Sequence, residues 1–416
     1  MSIDVAVIGA GAAGVAAAER LKRLRPALSI QILEAGERIG GRAWTIPAPG
    51  LPSAAIDLGC GWLHGARTNA WTAIAEQLGQ EVDRTPAPWD RESRDWGLGE
   101  ADARAASAAV AAFFARIEAR PPGTADTSLA AYLEPDGRWN GFLEAIGTYL
   151  AGAPLPEVSA EDFDRYDPGP SPDWRLPGGY GTLVRTFAKD LPVRLGVAAT
   201  LIRHDAPSGV RIETNAGEVE AKAVIVTVST NVLAAEKLRF DPPLPDKAEA
   251  AAALPLGLAN KLFIAIEAGT AIEAEKQVFG KPGARDTASY LLRPFGQDLI
   301  EAYFGGTLAL DIEKAGPAGA LAFAADELAG HFGSAIRSRL SFAAMSGWAA
   351  QPHVGGSYSY AVPGKADCRG DLAEPVEGRI FFAGEACSRG RFSTAHGAYE
   401  SGVAAADALL ASLAAG

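Results

Sequence analysis

The sequence predicts an α/β fold: a Rossmann-type nucleotide-binding domain with a second domain of mixed sheet and helices threaded through it. Three observations predict it. An apolar run of strand length, Val5-Ala-Val-Ile8, leads directly into Gly9, Gly11 and Gly14. An Ala-rich stretch of helical character, Ala12 to Leu24, follows. A second apolar run, Ser29 to Glu34, ends on a carboxylate about 20 residues beyond the last glycine, the spacing at which an acid meets a ribose.

Each glycine has a physical reason. Gly9 turns the chain sharply out of the first strand, Gly11 lets a pyrophosphate approach the backbone, and Gly14 lets the helix lie close to the strand. Ala13 sits inside the same turn. The helix start offers unpaired N–H groups and the positive end of its dipole to phosphate oxygens.

Further along, two helices are expected at Glu100–Ala119 and Asn140–Ala151, with Pro-rich joints at Pro121-Pro122 and Pro168–Pro177. A hairpin is expected over Val210–Val219, turning at Asn215–Gly217. Ala223–Val228 reads as a separate buried strand. Strands follow at Lys261–Glu267, Ser289–Arg293 and Leu299–Phe304, then a helix at Ala318–Phe332. A last short strand spans Arg379–Glu385, and a terminal helix begins near Gly397.

At 416 residues the chain is too long for one core. Nucleotide-binding segments recur at the start, middle and end. The expected division is 1–75, 186–248 and 352–416 for the nucleotide domain, with 76–185 and 249–351 forming the substrate domain. Hydrophobic residues make up 48 % and charged residues 21 %, the profile of a soluble globular protein. The formal net charge of -12 argues against nucleic acid and anionic membrane surfaces as partners. No stretch reaches the length of a membrane span, and no basic, apolar leader precedes the first strand. Cys60, Cys368 and Cys387 form no C-x-x-C pair, which fits reduced thiols and a cytoplasmic setting. Five scattered histidines give no metal constellation, so no metal is expected. Oligomeric state is not legible.

Several segments converge in one order along nearly the whole chain. They are Arg38-Ile-Gly-Gly-Arg42, Ile56-Asp-Leu-Gly-Cys-Gly-Trp-Leu-His-Gly65, Pro177-Gly-Gly-Tyr-Gly181, Ala223–Val228, Phe240-Asp-Pro-Pro-Leu-Pro245 and Leu256-Gly-Leu-Ala-Asn-Lys261. Trp348, Gly355-Gly-Ser-Tyr-Ser359, Phe382-Ala-Gly-Glu-Ala386 and Ser393-Thr-Ala-His-Gly-Ala-Tyr399 complete them. In this order they resemble the flavin-dependent amine oxidase family, which includes monoamine and polyamine oxidases.

The resemblance implies FAD and a glutathione-reductase-like two-domain flavoprotein. It places Gly9, Gly11, Ala13, Gly14, Glu34, Gly41, Arg42, Gly59, Val197, Gly384, Glu385, Thr394 and Ala395 around the cofactor. Gly40-Gly41-Arg42 is suited to a second approach to the pyrophosphate. By the same resemblance Val197 meets the adenine through its backbone and Glu385 reaches the ribityl–phosphate region. Ser357 stands where monoamine oxidases carry a cysteine linked to the flavin. A hydroxyl cannot form that thioether, so FAD is expected to be held non-covalently.

Three catalytic candidates follow. Lys261 lies in an otherwise apolar strand and matches the lysine that holds a water against flavin N5 in the family. His64 matches a histidine or glutamate of the substrate channel, and an imidazole can take a proton or hydrogen bond from an ammonium group. Tyr358 matches one wall of the family's aromatic cage, but the second wall falls on Thr394. Trp62, Trp348 and Thr394 are expected to line the pocket, with Tyr360 and Trp174 as further aromatics.

The implied reaction is amine oxidation, with a hydride equivalent passing to flavin N5. The imine is then hydrolysed to an aldehyde or ketone, and the electrons pass to O2, giving H2O2, or to a carrier. An L-amino-acid oxidase would need an arginine to clamp the carboxylate, for which Arg165, Arg175 and Arg293 are candidates. A C–C flavin desaturase and a non-catalytic FAD-containing scaffold also stay open. The tower-like coiled insertion of histone demethylases is absent, which argues against nucleosomal substrates. The amine itself is not legible.

Overall fold

The structure is a computed structural model that describes residues 2–90, 96–121, 123–206 and 209–415. Its larger sheet has eight strands. In spatial order seven of them are Arg239–Asp241, Ala199–Arg203, Val210–Thr214, Gly217–Val226, Ser2–Ile8, Ile30–Leu33 and Val193–Arg194. The eighth, Ile380–Phe382, pairs with the C-terminal half of Gly217–Val226. The first strand runs parallel to both neighbours, with Val5 opposite Ala223 on one side and Ile30 on the other.

Both faces of this sheet are covered, as the continuous apolar strands require. Val5, Val7 and Ile225 face one core, shared with the helices Ala12–Leu24 and Ala395–Ala415. Ala6, Ile8 and Val224 face a second core, shared with Leu233 and Leu254. The helix Tyr180–Phe187 contributes Leu183 and Val184 to the first core.

The second sheet is antiparallel, in the order Lys276–Phe279, Ser289–Leu292, Leu299–Gly305, Ala259–Ile266 and Leu340–Met345. Alternation divides its faces. Leu262, Ile264, Ile300, Ala302 and Phe304 pack under the helix Gly306–Phe332. Phe263 and Leu299 pack instead against the hairpin of Thr45–Ala48 and Leu51–Asp57. That second face also carries Lys261, Glu301 and Tyr303, which follow the same alternation.

The structure moves several expected boundaries. The span Gly306–Phe332 is two helices joined at a kink: Gly316 (φ 69°, ψ -173°) leaves the helical region just before Pro317, so the helix expected from Ala318 is the second of them and a further helix from Gly306 precedes it. The hairpin's second arm and the strand from Ala223 are one strand, Gly217–Val226: its first half pairs with Val210–Thr214 and its second with Ile380–Phe382. The last strand stops at Phe382, and Glu385 lies in the 3-10 turn after it. The terminal helix starts at Ala395, two residues early, because Thr394 Oγ1 accepts from Gly397 N at 2.9 Å and caps it.

Candidate active site

The glycine turn forms as its residue types demand. A methyl group on Gly14 would lie 1.9 Å from the carbonyl oxygen of Gly9, so the helix can approach the strand only without a side chain there. Gly11 bridges to Gly40, which brings the Gly40-Gly41 loop against the helix start. Glu34 accepts from Ala10 N and Gly36 N, both at 2.7 Å, and these bonds orient its carboxylate at the end of its strand. Val197 donates its N–H to the carbonyl of Glu34 at 2.8 Å. Ala13 is buried in the helix's first turn, and Ala395 opens the last helix, its carbonyl held by Trp71 Nε1 at 3.0 Å.

Beside the end of the strand Gly217–Val226 lies a cleft bordered by Arg42, Val228, Thr230, Gly384 and Glu385. Two observations mark a place for a polar ligand group at this cleft. Thr230 is buried, yet its hydroxyl has no hydrogen-bond partner, so a polar ligand group has a place to bind. Space also stays open within 4 Å of where a Cβ would stand on Gly384. Arg42 Nη1 donates to Glu385 Oε1 and to the Ser357 carbonyl, both at 2.8 Å, while 27 % of the side chain stays accessible. Glu385 is buried. Burial works to raise its pKa, but the charges of Arg42 and Arg369 and the Ser359 hydroxyl outweigh it and hold the carboxyl below its usual range. Ser357 is locked by Ala259 N at 2.9 Å and the Gly257 carbonyl at 3.0 Å.

Lys261 points from the five-stranded sheet toward the 57–61 segment. Its side chain is 9 % exposed, and Nζ pairs with Glu301 Oε1 at 2.9 Å. A Cβ on Gly61 would stand 3.1 Å from that nitrogen, which locates it against the 57–61 segment. Burial alone would lower the pKa of Lys261, but Glu301 and Asp57 together raise it, so the group is an ammonium. Asp57 is itself anchored by Tyr180 N at 2.9 Å and by Thr45. Gly59 lies between Arg42 and Trp348: a Cβ there would meet the Arg42 carbonyl at 1.7 Å and Trp348 Cζ2 at 3.1 Å. Trp348 is buried, with its indole N–H on the Leu58 carbonyl at 3.2 Å and its backbone N on Asn260 Oδ1 at 3.3 Å.

Tyr358 does not stand alone. Its hydroxyl meets that of Tyr303 at 2.8 Å and donates to the Tyr149 carbonyl. Burial raises the pKa of both phenols, so both stay neutral. Thr394 is buried, and its hydroxyl caps the last helix and donates to the Arg391 carbonyl. His64 Nδ1 lies 2.8 Å from Asp173 Oδ2, and Asp173 also accepts from Gly65 N and Trp89 Nε1. Burial alone would raise the pKa of Asp173, but the bond to His64 and these donors hold it below the usual value. Trp62 and Trp89 sit beside them, ring centroids 4.5 Å apart.

Reading residues in sequence order missed Asp57, Glu301, Tyr303 and Asp173. The strand Leu299-Ile-Glu-Ala-Tyr-Phe304 did carry a signal: Glu301 and Tyr303 alternate with apolar residues, so they share a face with each other. The three arginines weighed for a carboxylate clamp each have an acidic partner, although Nε and Nη1 of Arg175 and Nε of Arg293 are buried without a hydrogen-bond partner. Arg165 pairs with Glu161 and Asp367, Arg175 with Asp83 and Glu275, and Arg293 with Asp298. Among the described residues no group of His, Cys, Asp and Glu could hold a metal ion.

The model of the flavin containing amine oxidoreductase family matches residues 12–410. The chain belongs to that family. It is 30 % identical to polyamine oxidase 4 of Oryza sativa subsp. japonica, over 97 % of this chain and 88 % of the relative. It is 29 % identical to polyamine oxidase 2 of Arabidopsis thaliana, over 98 % and 88 %. The fold matches wild-type putrescine oxidase bound to putrescine with a TM-score of 0.78, covering 99 % of both chains at 20 % identity. A dinucleotide-binding turn in a flavin family means FAD, and the enzyme is an FAD-dependent amine oxidase.

Proposed function

We propose that the substrate is a di- or polyamine and that the enzyme is an oxidase of the polyamine oxidase type. The observation that carries this reading is the buried Lys261–Glu301 pair, set against the 57–61 segment on the sheet face it shares with Tyr303, whose hydroxyl bonds that of Tyr358. FAD supplies the redox step by accepting a hydride equivalent from the carbon next to nitrogen.

The chain's own residues do the rest. Gly9, Gly11, Ala13 and Gly14 receive the pyrophosphate, with Gly41 and Arg42 on its other side and Glu34 on the ribose. The N–H of Val197 is taken by Glu34, so its carbonyl is the group left for the adenine. Gly59, Gly384, Glu385, Thr394 and Ala395 border the flavin end. Ser357 makes no thioether link, so FAD is held non-covalently. Lys261 holds a water by donating from its ammonium group. Tyr358 orients the amine, and Tyr303 supplies the second phenol that Thr394 lacks. Trp348 closes the pocket next to Gly59 and keeps water out. His64, tied to Asp173, and the Trp62–Trp89 pair offer a carboxylate and π-faces to the far ammonium of the substrate.

The segments 1–75, 186–248 and 352–416 form the FAD domain, with the helix Tyr180–Phe187 packed on it, and 76–185 with 249–351 form the substrate domain. O2 takes the electrons. Three unpaired cysteines support a reducing, cytoplasmic setting. Among the described residues no helix is long and apolar enough to cross a membrane.

A peroxide-coupled screen of purified enzyme tests the reading. Putrescine, spermidine and spermine should give turnover well above benzylamine and L-amino acids. A preference for an L-amino acid would overturn it.

A further inference from the structure

A buried row of alternating charges runs from the helical insertion to the nucleotide cleft. Asp162, in the short helix Ala160–Asp164, grips Arg369 with both oxygens: Nε to Oδ1 at 2.6 Å and Nη2 to Oδ2 at 2.7 Å. The two side chains are 1 % and 0 % exposed. The third guanidinium nitrogen, Nη1, donates to Ser359 Oγ at 2.9 Å. Ser359 Oγ in turn donates to Glu385 Oε2 at 2.7 Å, and Glu385 Oε1 receives Arg42. The guanidinium of Arg369 also lies 3.6 Å over the ring of Phe392, which fixes its plane.

The acceptor count at Glu385 decides what this row is for. A carboxylate offers about four lone-pair positions. Oε1 accepts from Arg42 and from Ser359 N at 3.2 Å, and Oε2 accepts from Ser359 Oγ and from Ser393 N at 2.8 Å. The chain itself fills all four. Arg42, by contrast, uses Nη1 alone in this network and keeps part of its side chain open to the cleft.

We propose that Asp162, Arg369, Ser359 and Glu385 are positioning residues whose common end is Arg42, and that the group they serve is the pyrophosphate of FAD. Glu385 acts on the cofactor through Arg42, and Arg369 acts through Ser359. The row rests on the reading of Arg42 as phosphate-facing. It also ties cofactor retention to the docking of the helix that carries Asp162, because Asp162 Oδ2 holds the Ala361 N–H at 3.0 Å as well.

The test reads FAD release from the holoenzyme on dilution, by the rise in flavin fluorescence, alongside the melting temperature by tryptophan fluorescence. Arg42→Lys keeps the charge and loses the planar fork, so FAD should dissociate about 10-fold faster. Ser359→Ala should do the same while melting within a few degrees of wild type. The combination should be no worse than either alone, because both act through one guanidinium. Replacing the buried pair by apolar residues, Asp162→Leu with Arg369→Met, removes the desolvated charges together, so the chain should stay folded. That variant should still release FAD about 10-fold faster, since Ser359 loses its anchor. If it melts like wild type and keeps FAD like wild type, the pair is only structural and the proposal is overturned. The same follows if the losses from Ser359→Ala and Arg42→Lys multiply. If Arg42→Lys leaves release unchanged while Ser359→Ala speeds it, the phosphate-facing reading of Arg42 fails instead.

Discussion

The two sheets handle polar chemistry in opposite ways. In the eight-stranded sheet, Val5 and Val7 face one apolar core and Ala6 and Ile8 face another, and the glycine turn and Glu34 lie beyond the strand ends. In the five-stranded sheet, one face is apolar under its helix, while the other carries Lys261, Glu301 and Tyr303 within the strands themselves. Buried side-chain charge is costly unless paired, which is why Lys261 comes with Glu301 and Asp57.

The comparison can be broken from the cofactor side first. Gly14→Ala would push a methyl to within 1.9 Å of the Gly9 carbonyl. It should abolish FAD retention, seen as colourless protein after gel filtration. On the substrate side, Lys261→Met removes a positioned donor and should slow flavin reduction by about 100-fold, measured by anaerobic stopped flow, with FAD still bound. A variant that instead loses its colour would show that the second sheet also holds the cofactor.

His396, in the first turn of the last helix and beside Asn69, adds a pH dependence to the contrast. Burial, with the charges of His64 and Arg391, pushes its pKa down from 6.5 to about 4. Unfolded His396 therefore binds a proton at a higher pH than the folded residue does. Its contribution to stability is full above about 6.5 and is lost as pH falls toward about 4, by roughly 3 kcal/mol at most. His396→Asn should flatten the fall in the denaturation midpoint between pH 7.5 and about pH 5. The smallest effect belongs to a pair outside both regions. Arg104 and Glu100 form an exposed i,i+4 bridge, so Arg104→Ala should change stability by less than about 0.5 kcal/mol in urea titration.

The cofactor side was legible because its recognition is local. The turn Gly9–Gly14 and the acid at Glu34 lie within one strand–helix–strand unit, and each residue type follows from backbone geometry. Lys261 was legible as a charge in an apolar strand. The partners were not. Glu301 meets Lys261 only because two antiparallel strands set Phe263 opposite Glu301 and leave Lys261 diagonal to it. Thr394 illustrates a local bond that linear reading did not foresee, since its hydroxyl caps the last helix.

By itself the sequence determined that the chain holds a dinucleotide, where several of its longer helices and strands fall, and which residues were out of place in apolar surroundings. Periodicity and turn chemistry act over a few residues, so a linear reading captures them. Only the tertiary structure decided which distant groups share a site: Asp162 with Arg369, His64 with Asp173, Tyr303 with Tyr358. Those pairings depend on how two sheets and an inserted helical region pack together, and packing joins residues whose separation along the chain carries no periodic signal.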